Sequence, residues 1–442
     1  MDVVNKITDG KCTERAIVWQ ALGTREALRQ QDQYMEVENI HQALLRQACY
    51  ERGIGVLRWI DHKGVARWAA KGCDRIIQFK NNMPSTTSQR MREIVADKDA
   101  AKAWLKRLGC AVPTGRVFNN TEFEHALDWW KSSSFKKVVV KPLSGSGGHG
   151  VFSDVATSAD LKSAFSANAK LRPDSRLIVE QYVDGLDYRI LMVAGRFHSA
   201  ILRWPAHVLG DGVSTINDLV MAKNQVRLGN PYLKKCLLRF GENEKSTLGR
   251  SGLSENSVLQ HGEKFVFHKV ANVGRGGDSV NVTNSVHPDF IEFLNRLGSK
   301  FQDMQFCGLD LIAQDISSSL AGQEYTVIEL NVNCDLALHH FPVSGGPEDA
   351  AGAVIDSLFP SSIPVTVVSK EFEIIGTGLN EAYLTWVKAA AVNRAVSGEA
   401  RLKNRSILVS ATGPEVGISS LLENCMLGPR GALPAVINLR NG

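Results

Sequence analysis

Two apolar segments in the second half of the chain predict a pair of buried strands. Residues 306–313 (FCGLDLIA) and 325–333 (YTVIELNVN) are apolar and rich in β-branched residues, which is typical of strands in a protein core. The segment between them, residues 314–323, is polar. This pattern predicts an antiparallel hairpin with a polar connecting loop.

The few polar residues of this hairpin form a candidate metal site. Because side chains alternate along a strand, Glu329, Asn331 and Asn333 share one face of the second strand, and hairpin pairing would bring Asp310 beside them. Two carboxylates and an amide oxygen are suited to a Mg²⁺ ion that bridges nucleotide phosphates. The alternative is a group of polar residues on a solvated face, and the hairpin alone does not decide between the two.

The pattern before residue 110 predicts a small α/β domain followed by helices. The predicted strands are residues 16–19, 54–60 and 75–79, with a helix over residues 36–52 that ends near Gly53. Residues 88–108 then predict one or two helices with Lys98 on a polar face. By itself, Lys98 has the pattern of a solvated surface lysine.

A strand followed at once by a glycine-rich loop is the second candidate for nucleotide binding. Residues 135–151 (FKKVVVKPLSGSGGHGV) place Lys141 at the end of the strand, directly before four glycines. Glycines allow backbone N–H groups to approach phosphates, and a nearby lysine adds a point charge. The loop is not a Walker A motif, because no Gly-Lys-Ser/Thr opens a helix. A flexible hairpin turn is the alternative interpretation.

Residues 176–193 (RLIVEQYVDGLDYRILMV) predict two strands around a short connector. A strand that ends in an acid before an apolar connector is suited to contact an adenine, and a later acid can contact ribose hydroxyls. An ordinary hairpin with an Asp-Gly turn would have the same pattern.

Composition restricts the possible functions less than the motifs do. The 442 residues have 44% hydrophobic and 22% charged content, as is ordinary for a globular protein, and the length is enough for two or three domains. A net charge of +5 gives no case for a nucleic-acid partner. No apolar run is long enough to span a membrane, no secretory signal is evident, and the eight cysteines have no metal-ligand spacing. We therefore expect a cytoplasmic protein.

In combination, the motifs resemble the ATP-grasp superfamily of carboxylate–amine ligases, and residues 75–360 are similar to the ATP-grasp domain of cyanophycin synthetases. The shared order is a helix lysine, a strand Lys-Pro with a glycine loop, a Glu-x-x-x-x-Gly-x-Asp-x-Arg segment, and an Asp…Glu-x-Asn arm. Residues 203–219 (RWPAHVLGDGVSTINDL) and 271–277 (ANVGRGG) are also similar. The resemblance implies an α/β (α+β) ATP-grasp domain over residues 93–360, an N-terminal α/β domain over 1–92, and a short C-terminal extension over 361–442.

The resemblance also implies roles for individual residues. It assigns the ATP-binding groups to Lys98, Lys141, Ser144, Gly145, Ser146, Gly147, Gly148, Gly150, Glu180, Gln181, Val183 and Asp187. It assigns the Mg²⁺ ligands, with Mn²⁺ as a substitute, to Asp310, Glu329 and Asn331. It brings His207 and Arg189 near the reacting groups.

Three departures from the family pattern affect these expectations. D-alanine–D-alanine ligases carry an arginine where this chain has Gly308, so we expect Arg275 or Lys269 to supply the charge near the transferred phosphoryl group. The metal arm is followed by Cys334, which we expect to pack in the core. The C-terminal extension is too short for a second ligase domain. We expect a small α/β cap, a dimer element or a lid, in which residues 413–420 form a surface turn.

The implied activity is ATP-dependent amide bond formation through an acyl phosphate, with release of ADP and phosphate. The expected partners are small carboxylate and amine substrates, namely amino acids or a short peptide, and the enzyme is expected to be a homo-oligomer. A single condensation is favoured because the chain offers one site. The alternatives are a peptide-extending ligase, a kinase that stops at phosphoryl transfer, and a catalytically silent nucleotide-binding regulator.

Overall fold

The computed structural model describes residues 15–19, 39–63, 65–143, 149–268, 270–301, 303–361, 364–404, 406–428 and 433–440. The chain forms two compact units. Of the described residues, unit 1 comprises those within 15–19, 39–78 and 359–440, and unit 2 comprises those within 79–358. Each unit is described separately below.

The strands of the described residues are numbered in chain order. They are β1 (Arg15–Trp19), β2 (Gly55–Ile60), β3 (Ala66–Lys71), β4 (Ile76–Lys80), β5 (Met83–Pro84), β6 (Gly115–Asn119), β7 (Val138–Pro142), β8 (Phe152–Val155), β9 (Arg176–Gln181), β10 (Leu186–Val193), β11 (Arg196–Trp204), β12 (His207–Leu209), β13 (Lys264–Val266), β14 (Asp278–Asn281), β15 (Phe306–Ala313), β16 (Tyr325–Asn331), β17 (Val367–Thr377), β18 (Ser397–Lys403), β19 (Ser406–Pro414) and β20 (Leu433–Arg440).

The α-helices are numbered in the same way. They are α1 (Ile40–Glu51), α2 (Gln89–Ala96), α3 (Lys98–Arg107), α4 (Phe123–Ser132), α5 (Ser158–Leu171), α6 (Ile216–Leu228), α7 (Glu242–Arg250), α8 (Pro288–Gly298), α9 (Ala337–His340), α10 (Ala350–Leu358), α11 (Glu381–Val392) and α12 (Glu415–Leu427). Short 3₁₀ turns lie at Leu233–Lys235, Val273–Arg275 and Thr283–Ser285.

Unit 1 contains a β-α-β-β-α-β arrangement formed by the C-terminal residues. Its antiparallel strands lie in the order β18, β19, β17, β20, and β1 pairs with the outer edge of β18. This is the strand order of a ferredoxin-like fold. The predicted α/β extension is therefore present, but the surface turn predicted over residues 413–420 is wrong, because helix α12 begins at Glu415. The described residues within 39–78 belong to the same compact unit, whereas the sequence predicts separate domains over 1–92 and 361–442.

Unit 2 contains two antiparallel sheets that carry the motifs singled out in the sequence. One has the strand order β6, β9, β7, β8, with a core that includes Phe118, Trp130 and Phe165. The other has the order β14, β11, β10, β15, β16. The prediction of one or two helices over residues 88–108 is confirmed by α2 and α3, which begin with side-chain caps from Ser88 and Asp97 respectively.

The five-stranded sheet separates an apolar face from a polar face. Tyr188, Ile190, Leu309 and Leu311 belong to one core cluster that also contains Phe290 of α8. The residues that alternate with them, such as Arg189 and Asp310, project to the opposite face. Burial of the apolar face therefore fixes which side chains reach the other side of the sheet.

Within the described residues, none of the helices combines the length and apolar character needed to cross a membrane. The cysteines that the structure describes are free thiols. Cys334 is 3% exposed, in keeping with its predicted packing role.

The apolar face gives a test of the fold. Phe290 is fully buried, and its ring lies 6.0 Å from that of Tyr325 at the start of β16. We expect Phe290→Ala to lower the free energy of unfolding by about 3–5 kcal/mol, because the truncation leaves a cavity beneath the sheet. Chemical denaturation would measure the change. The exposed Glu292 on the same helix is the control: an equal loss in Glu292→Ala would contradict the proposed packing.

Candidate functional site

A cavity of about 530 Å³ lies in unit 2, and nine of the predicted site residues line it. Its walls come from both sheets and from helix α3. Charged lining residues are Lys98, Lys141, Glu180, Asp187, Arg189, Arg203, Asp310, Glu329 and Asp335, and the remaining lining includes Gln181, Val183, Trp204, Tyr232 and Ile312. The volume is in the range of sites that enclose a small molecule.

The two carboxylates predicted to meet across a hairpin do so. Strands β15 and β16 pair antiparallel, with Asp310 directly opposite Glu329. A register shift next to Asp310 forms a bulge in β16, which allows both Val327 and Leu330 to face the core. The predicted hairpin is confirmed, and its register directs both carboxylates into the cavity.

Two arginines neutralise Asp310, which is 4% exposed. Arg189 lies opposite it on β10, with Nε 2.5 Å from Oδ1, and Nη2 of Arg203 lies 3.0 Å from Oδ2. Arg203 also donates two hydrogen bonds to Asp187. Burial alone would raise the pKa of Asp310, but Arg189 and Arg203 hold it below its ordinary value. Asp310 is therefore a carboxylate at neutral pH.

The absence of a side chain at Gly308 makes room for Arg189. A Cβ atom placed on Gly308 would lie 3.2 Å from Nη1 of Arg189 and 2.8 Å from the Cβ of Cys334. A larger residue at this position would displace the guanidinium group. Arg189 thus places its positive charge beside Gly308.

Lysines pair with the remaining carboxylates of the cavity. Nζ of Lys98 lies 3.0 Å from Oε1 of Glu329. Glu180 lies between two lysines, with Lys102 Nζ 2.5 Å from one carboxylate oxygen and Lys141 Nζ 2.6 Å from the other. Burial would raise the pKa of Glu180, but Lys141 and Lys102 lower it below its ordinary value. Burial lowers the pKa of Lys102, and Glu180 opposes that effect.

The glycine loop is described only at its end. Ser144, Gly145, Ser146, Gly147 and Gly148 lie outside the described residues. Gly150 has φ +73°, and the buried Asn168 of α5 donates a hydrogen bond to its carbonyl at 3.0 Å. A Cβ atom on Gly150 would lie 2.3 Å from Oδ1 of Asn168, so a glycine is required there.

Three other predicted residues, Asn331, Arg275 and His207, are not part of the described cavity lining. Asn331 is paired with Gly308 at the end of β16. Arg275 lies in the 3₁₀ turn after Asn272, and Lys269 is outside the described residues. His207 is on β12, where its Nδ1 is 2.8 Å from the Pro205 carbonyl. Burial lowers the pKa of His207 below its ordinary value, although the hydrogen bond to the Pro205 carbonyl acts in the opposite direction. The ring is therefore neutral at physiological pH.

Sequence reasoning missed Lys102, Arg203 and a buried Tyr232–Asp335 contact. Lys102 lies one helical turn after Lys98, a spacing that puts both side chains on one face of α3. Arg203 lies directly opposite Asp187 in the β10–β11 hairpin. Both signals were present in the sequence. The hydrogen bond from Tyr232 to Asp335 joins residues 103 positions apart, and no local pattern predicts it.

The donor groups fit a hard divalent cation such as Mg²⁺. Glu329 retains 34% of its side-chain exposure and faces the cavity. Oδ1 of Asp310 is buried and has no aligned hydrogen-bond donor, although Arg189 is near it. Across the described residues, no cluster of three His, Cys, Asp or Glu side chains forms a second candidate. Asp310 and Glu329 offer the carboxylate oxygens that Mg²⁺ prefers, and Asn331 lies two residues after Glu329 at the end of β16.

Comparisons with known proteins agree with this geometry. Residues 113–212 match the family model of the prokaryotic glutathione synthetase ATP-grasp domain. The chain is 32% identical over 284 residues to cyanophycin synthetase from Trichormus variabilis, which covers 63% of this chain and 31% of that protein. It is 30% identical over 270 residues to the glutathione biosynthesis bifunctional protein GshAB of Clostridium perfringens. This match covers 60% of this chain and 34% of that protein. The chain thus spans about a third of the length of these relatives.

A solved structure extends the match to the fold. The bifunctional glutathione synthetase from Pasteurella multocida aligns with a TM-score of 0.55 and 27% identity, over 74% of this chain and 44% of that one. The predicted fold class is confirmed. With its cross-strand carboxylates and its lysine-lined cavity, unit 2 thus resembles the ATP-grasp domain of the prokaryotic glutathione synthetase family.

Proposed function

We propose that the protein is an ATP-dependent carboxylate–amine ligase that forms an amide bond through an acyl phosphate and releases ADP and phosphate. One observation carries the proposal: the Asp310–Glu329 pair faces the same cavity as Lys98 and Lys141. This combination offers oxygen ligands for a metal ion and positive charges for a triphosphate within one enclosed space. Phosphoryl transfer depends on these two elements.

Lys98 and Lys141, which line the cavity, are proposed to bind the ATP phosphates, and Glu180 is proposed to position Lys141 beside the buried Lys102. Because its two oxygens contact the two ammonium groups, Glu180 holds them close together despite their mutual repulsion. Gln181 and Val183 line the adjoining wall, where an adenine would contact the strand end. Asp187 is proposed to lie near the ribose, and its bond to Arg203 keeps it in the cavity wall.

Asp310, Glu329 and Asn331 are proposed to hold Mg²⁺, or Mn²⁺ in its place. The bound metal would neutralise charge on the β- and γ-phosphate oxygens. Lys98, which is now paired with Glu329, would transfer its contact to a phosphate as the metal takes the carboxylate. This exchange of partners preserves the charge balance, because Lys98 would gain a phosphate and Glu329 would gain the metal ion.

Arg189 and Arg203 are proposed to stabilise the charge that develops on the transferred phosphoryl group. Both line the cavity beside Asp310, whereas Arg275 does not contribute to its described lining. A substrate carboxylate oxygen attacks the γ-phosphorus and ADP leaves. The amine then attacks the acyl carbon and phosphate leaves. Fixed guanidinium groups need no reorganisation during these steps, which lowers the barrier.

The proton that leaves the attacking amine needs an acceptor. His207 is a proposed candidate because its ring is neutral at physiological pH and its Nδ1 is bonded to the Pro205 carbonyl, which leaves Nε2 as an acceptor. Its ring centroid lies 6.4 Å from that of Trp204, which lines the cavity. His207 could also act by positioning Trp204.

We propose amino acids or a short peptide as substrates, a cytoplasmic location and a homo-oligomeric state. Kinship with cyanophycin and glutathione synthetases supports the substrate class. A single condensation is preferred. A peptide-extending reaction is the second candidate, because a cyanophycin synthetase is among the relatives. A catalytically silent regulator is disfavoured, since regulation alone would not require the paired carboxylates and the lysines together.

The proposal is tested by incubating the protein with Mg·ATP and pairs of amino acids. We expect phosphate release together with a product whose mass equals two components minus water. Phosphate release and mass spectrometry would measure both. A ladder of masses would establish the extending reaction instead. A stable phosphorylated product without amide, or ATP binding with no ADP for any pair, would contradict the proposal.

The metal site is tested by Glu329→Gln. We expect ADP formation to fall by about two to three orders of magnitude, because one fixed electrostatic contact to the transition state is lost. Initial rates at saturating Mg·ATP would measure the change. Glu324→Gln, an exposed carboxylate just before β16, is the matched control and should keep the rate of the unmodified protein. Full activity in Glu329→Gln would overturn the metal assignment.

The positioning role of Glu180 is tested by its pH dependence. Its folded-state pKa lies below the ordinary value of 4.5. Its contribution to stability is therefore complete above that value and is lost as the pH falls through the folded-state pKa. We expect Glu180→Gln to lose about 3–5 kcal/mol of unfolding free energy at neutral pH and to show a smaller further loss on acidification.

A double variant separates charge balance from packing. Adding Lys102→Met to Glu180→Gln removes one of the two lysines left without a counter-charge, so we expect part of the stability to return. Denaturant unfolding from neutral to acid pH would measure both variants. Equal stability of Glu180→Gln and the unmodified protein at neutral pH would contradict the role given to Glu180.

A further inference from the structure

A second cavity lies within unit 1, and its lining shares no residue with that of the proposed ATP site. Its volume is about 280 Å³. Helix α1, strand β2 and helices α11 and α12 supply its walls, and its lining is Ala43, Arg46, Tyr50, Arg58, Trp386, Ala389, Ala390, Asn393, Arg394 and Asn424. Nothing in the ligase chemistry accounts for this cavity.

Three arginines line this space without a carboxylate among the lining residues. Arg394 is 7% exposed and donates to Oγ of Ser420 and to the Ala390 carbonyl, at 3.0 and 2.7 Å. Arg46 contacts the Gln42 side chain. In the part of the chain that the structure describes, none of Arg46, Arg58 and Arg394 has an ion pair with an acidic residue. Their charges are left to solvent or to a ligand.

The arginines repel one another. Burial, together with the nearby charges of Arg58 and Arg394, lowers the pKa of Arg46 to about 10. Burial also lowers the pKa of Arg394, and the positive charge of Arg58 lowers it too. Tyr50 raises this pKa, and Glu423 raises it more weakly. Like charges brought together in a half-buried space cost free energy, which an anion would recover.

A buried acceptor in the same cavity adds a second requirement. Oδ1 of Asn393 is buried and has no hydrogen-bond partner among the described groups. A ligand that satisfies it carries a hydrogen-bond donor as well as negative charge. Because three guanidinium groups would repel an ammonium group, the donor is a neutral hydroxyl or a protonated oxygen.

We propose that the cavity formed by Arg46, Arg58 and Arg394 binds a small hydroxylated carboxylate or a phosphate. Guanidinium groups bind both anions with paired, parallel hydrogen bonds. The volume lies just below the usual range for drug-sized ligands, so it suits a molecule of a few carbon atoms or a phosphate group. Trp386 and Ala389 provide an apolar wall for the remainder of the ligand.

Binding is tested with inorganic phosphate and with citrate, which carries a hydroxyl, on the full chain at constant ionic strength set by chloride. We expect at least one of the two to raise the midpoint of thermal unfolding and to change tryptophan fluorescence. The fluorescence change should disappear in Trp386→Phe. A response to phosphate and not to citrate would identify a phosphate site. A response to citrate and not to phosphate would identify a carboxylate site. No response to either probe at millimolar concentration overturns the proposal.

Variants assign the response to this cavity. We expect Arg58→Gln, at an exposed position, to weaken binding by at least about tenfold. Arg75→Gln removes an exposed arginine of the same unit that does not line the cavity, and it should bind as the unmodified protein does. Lys141→Met removes a phosphate contact of the other cavity and should also leave binding intact. Unchanged affinity in Arg58→Gln, or loss of binding in Lys141→Met, overturns the assignment.

The hydroxyl requirement has its own control. Tricarballylate has the carboxylates of citrate without the hydroxyl group. If citrate is a ligand, tricarballylate should bind more weakly, because the Asn393 acceptor stays unsatisfied. Equal affinity for the two would remove Asn393 from the proposed site and reduce the proposal to charge recognition, contradicting the role given to the hydroxyl.

Discussion

The antiparallel register of β10, β15 and β16 is the constraint on which the proposed site depends. Leu309 and Leu311 are fully buried on one face of β15, and Asp310 lies between them on the other. A shift of one residue would exchange the two faces and bury the carboxylate against the apolar core. The hydrophobic effect thus selects the register, and the register places Asp310 opposite both Arg189 and Glu329.

Charge compensation then determines which cations share the cavity. A buried carboxylate is stable only if its lost hydration is replaced, and Arg189, Arg203, Lys102 and Lys141 supply that replacement. The same cations are suited to a triphosphate. In the proposed account the protein therefore holds its anion-binding groups in place with its own carboxylates before ATP arrives. Binding exchanges ionic partners and requires little new order, which favours affinity.

The sequence predicted the parts of this arrangement that rest on local patterns. The hairpin that joins Asp310 to Glu329 follows from two apolar runs and a polar loop, and the motif order led to the superfamily. Other features depend on contacts between distant segments. Arg189 takes the space that Gly308 leaves, and this follows from the pairing of β10 with β15, which periodicity does not reveal.

The small C-terminal element shows a different limit of local patterns. Residues 413–420 contain glycine and proline, which suggested a turn, yet Pro414 directly precedes α12 and the helix continues to Leu427. Proline is well tolerated at the start of a helix, so its presence does not distinguish a turn from a helix beginning. The arginine cavity of unit 1 was also not foreseen, because Arg46, Arg58 and Arg394 come from segments far apart in the chain.

The transfer of a carboxylate oxygen to phosphate tests the central claim most directly. The protein would be supplied with Mg·ATP and amino acids whose carboxylates carry ¹⁸O, and the released phosphate would be analysed by mass spectrometry. Attack of the carboxylate on the γ-phosphorus, followed by cleavage of the acyl–oxygen bond, predicts one labelled oxygen in each phosphate. Unlabelled phosphate, or label found in AMP, would contradict an acyl phosphate formed at the Asp310–Glu329 site.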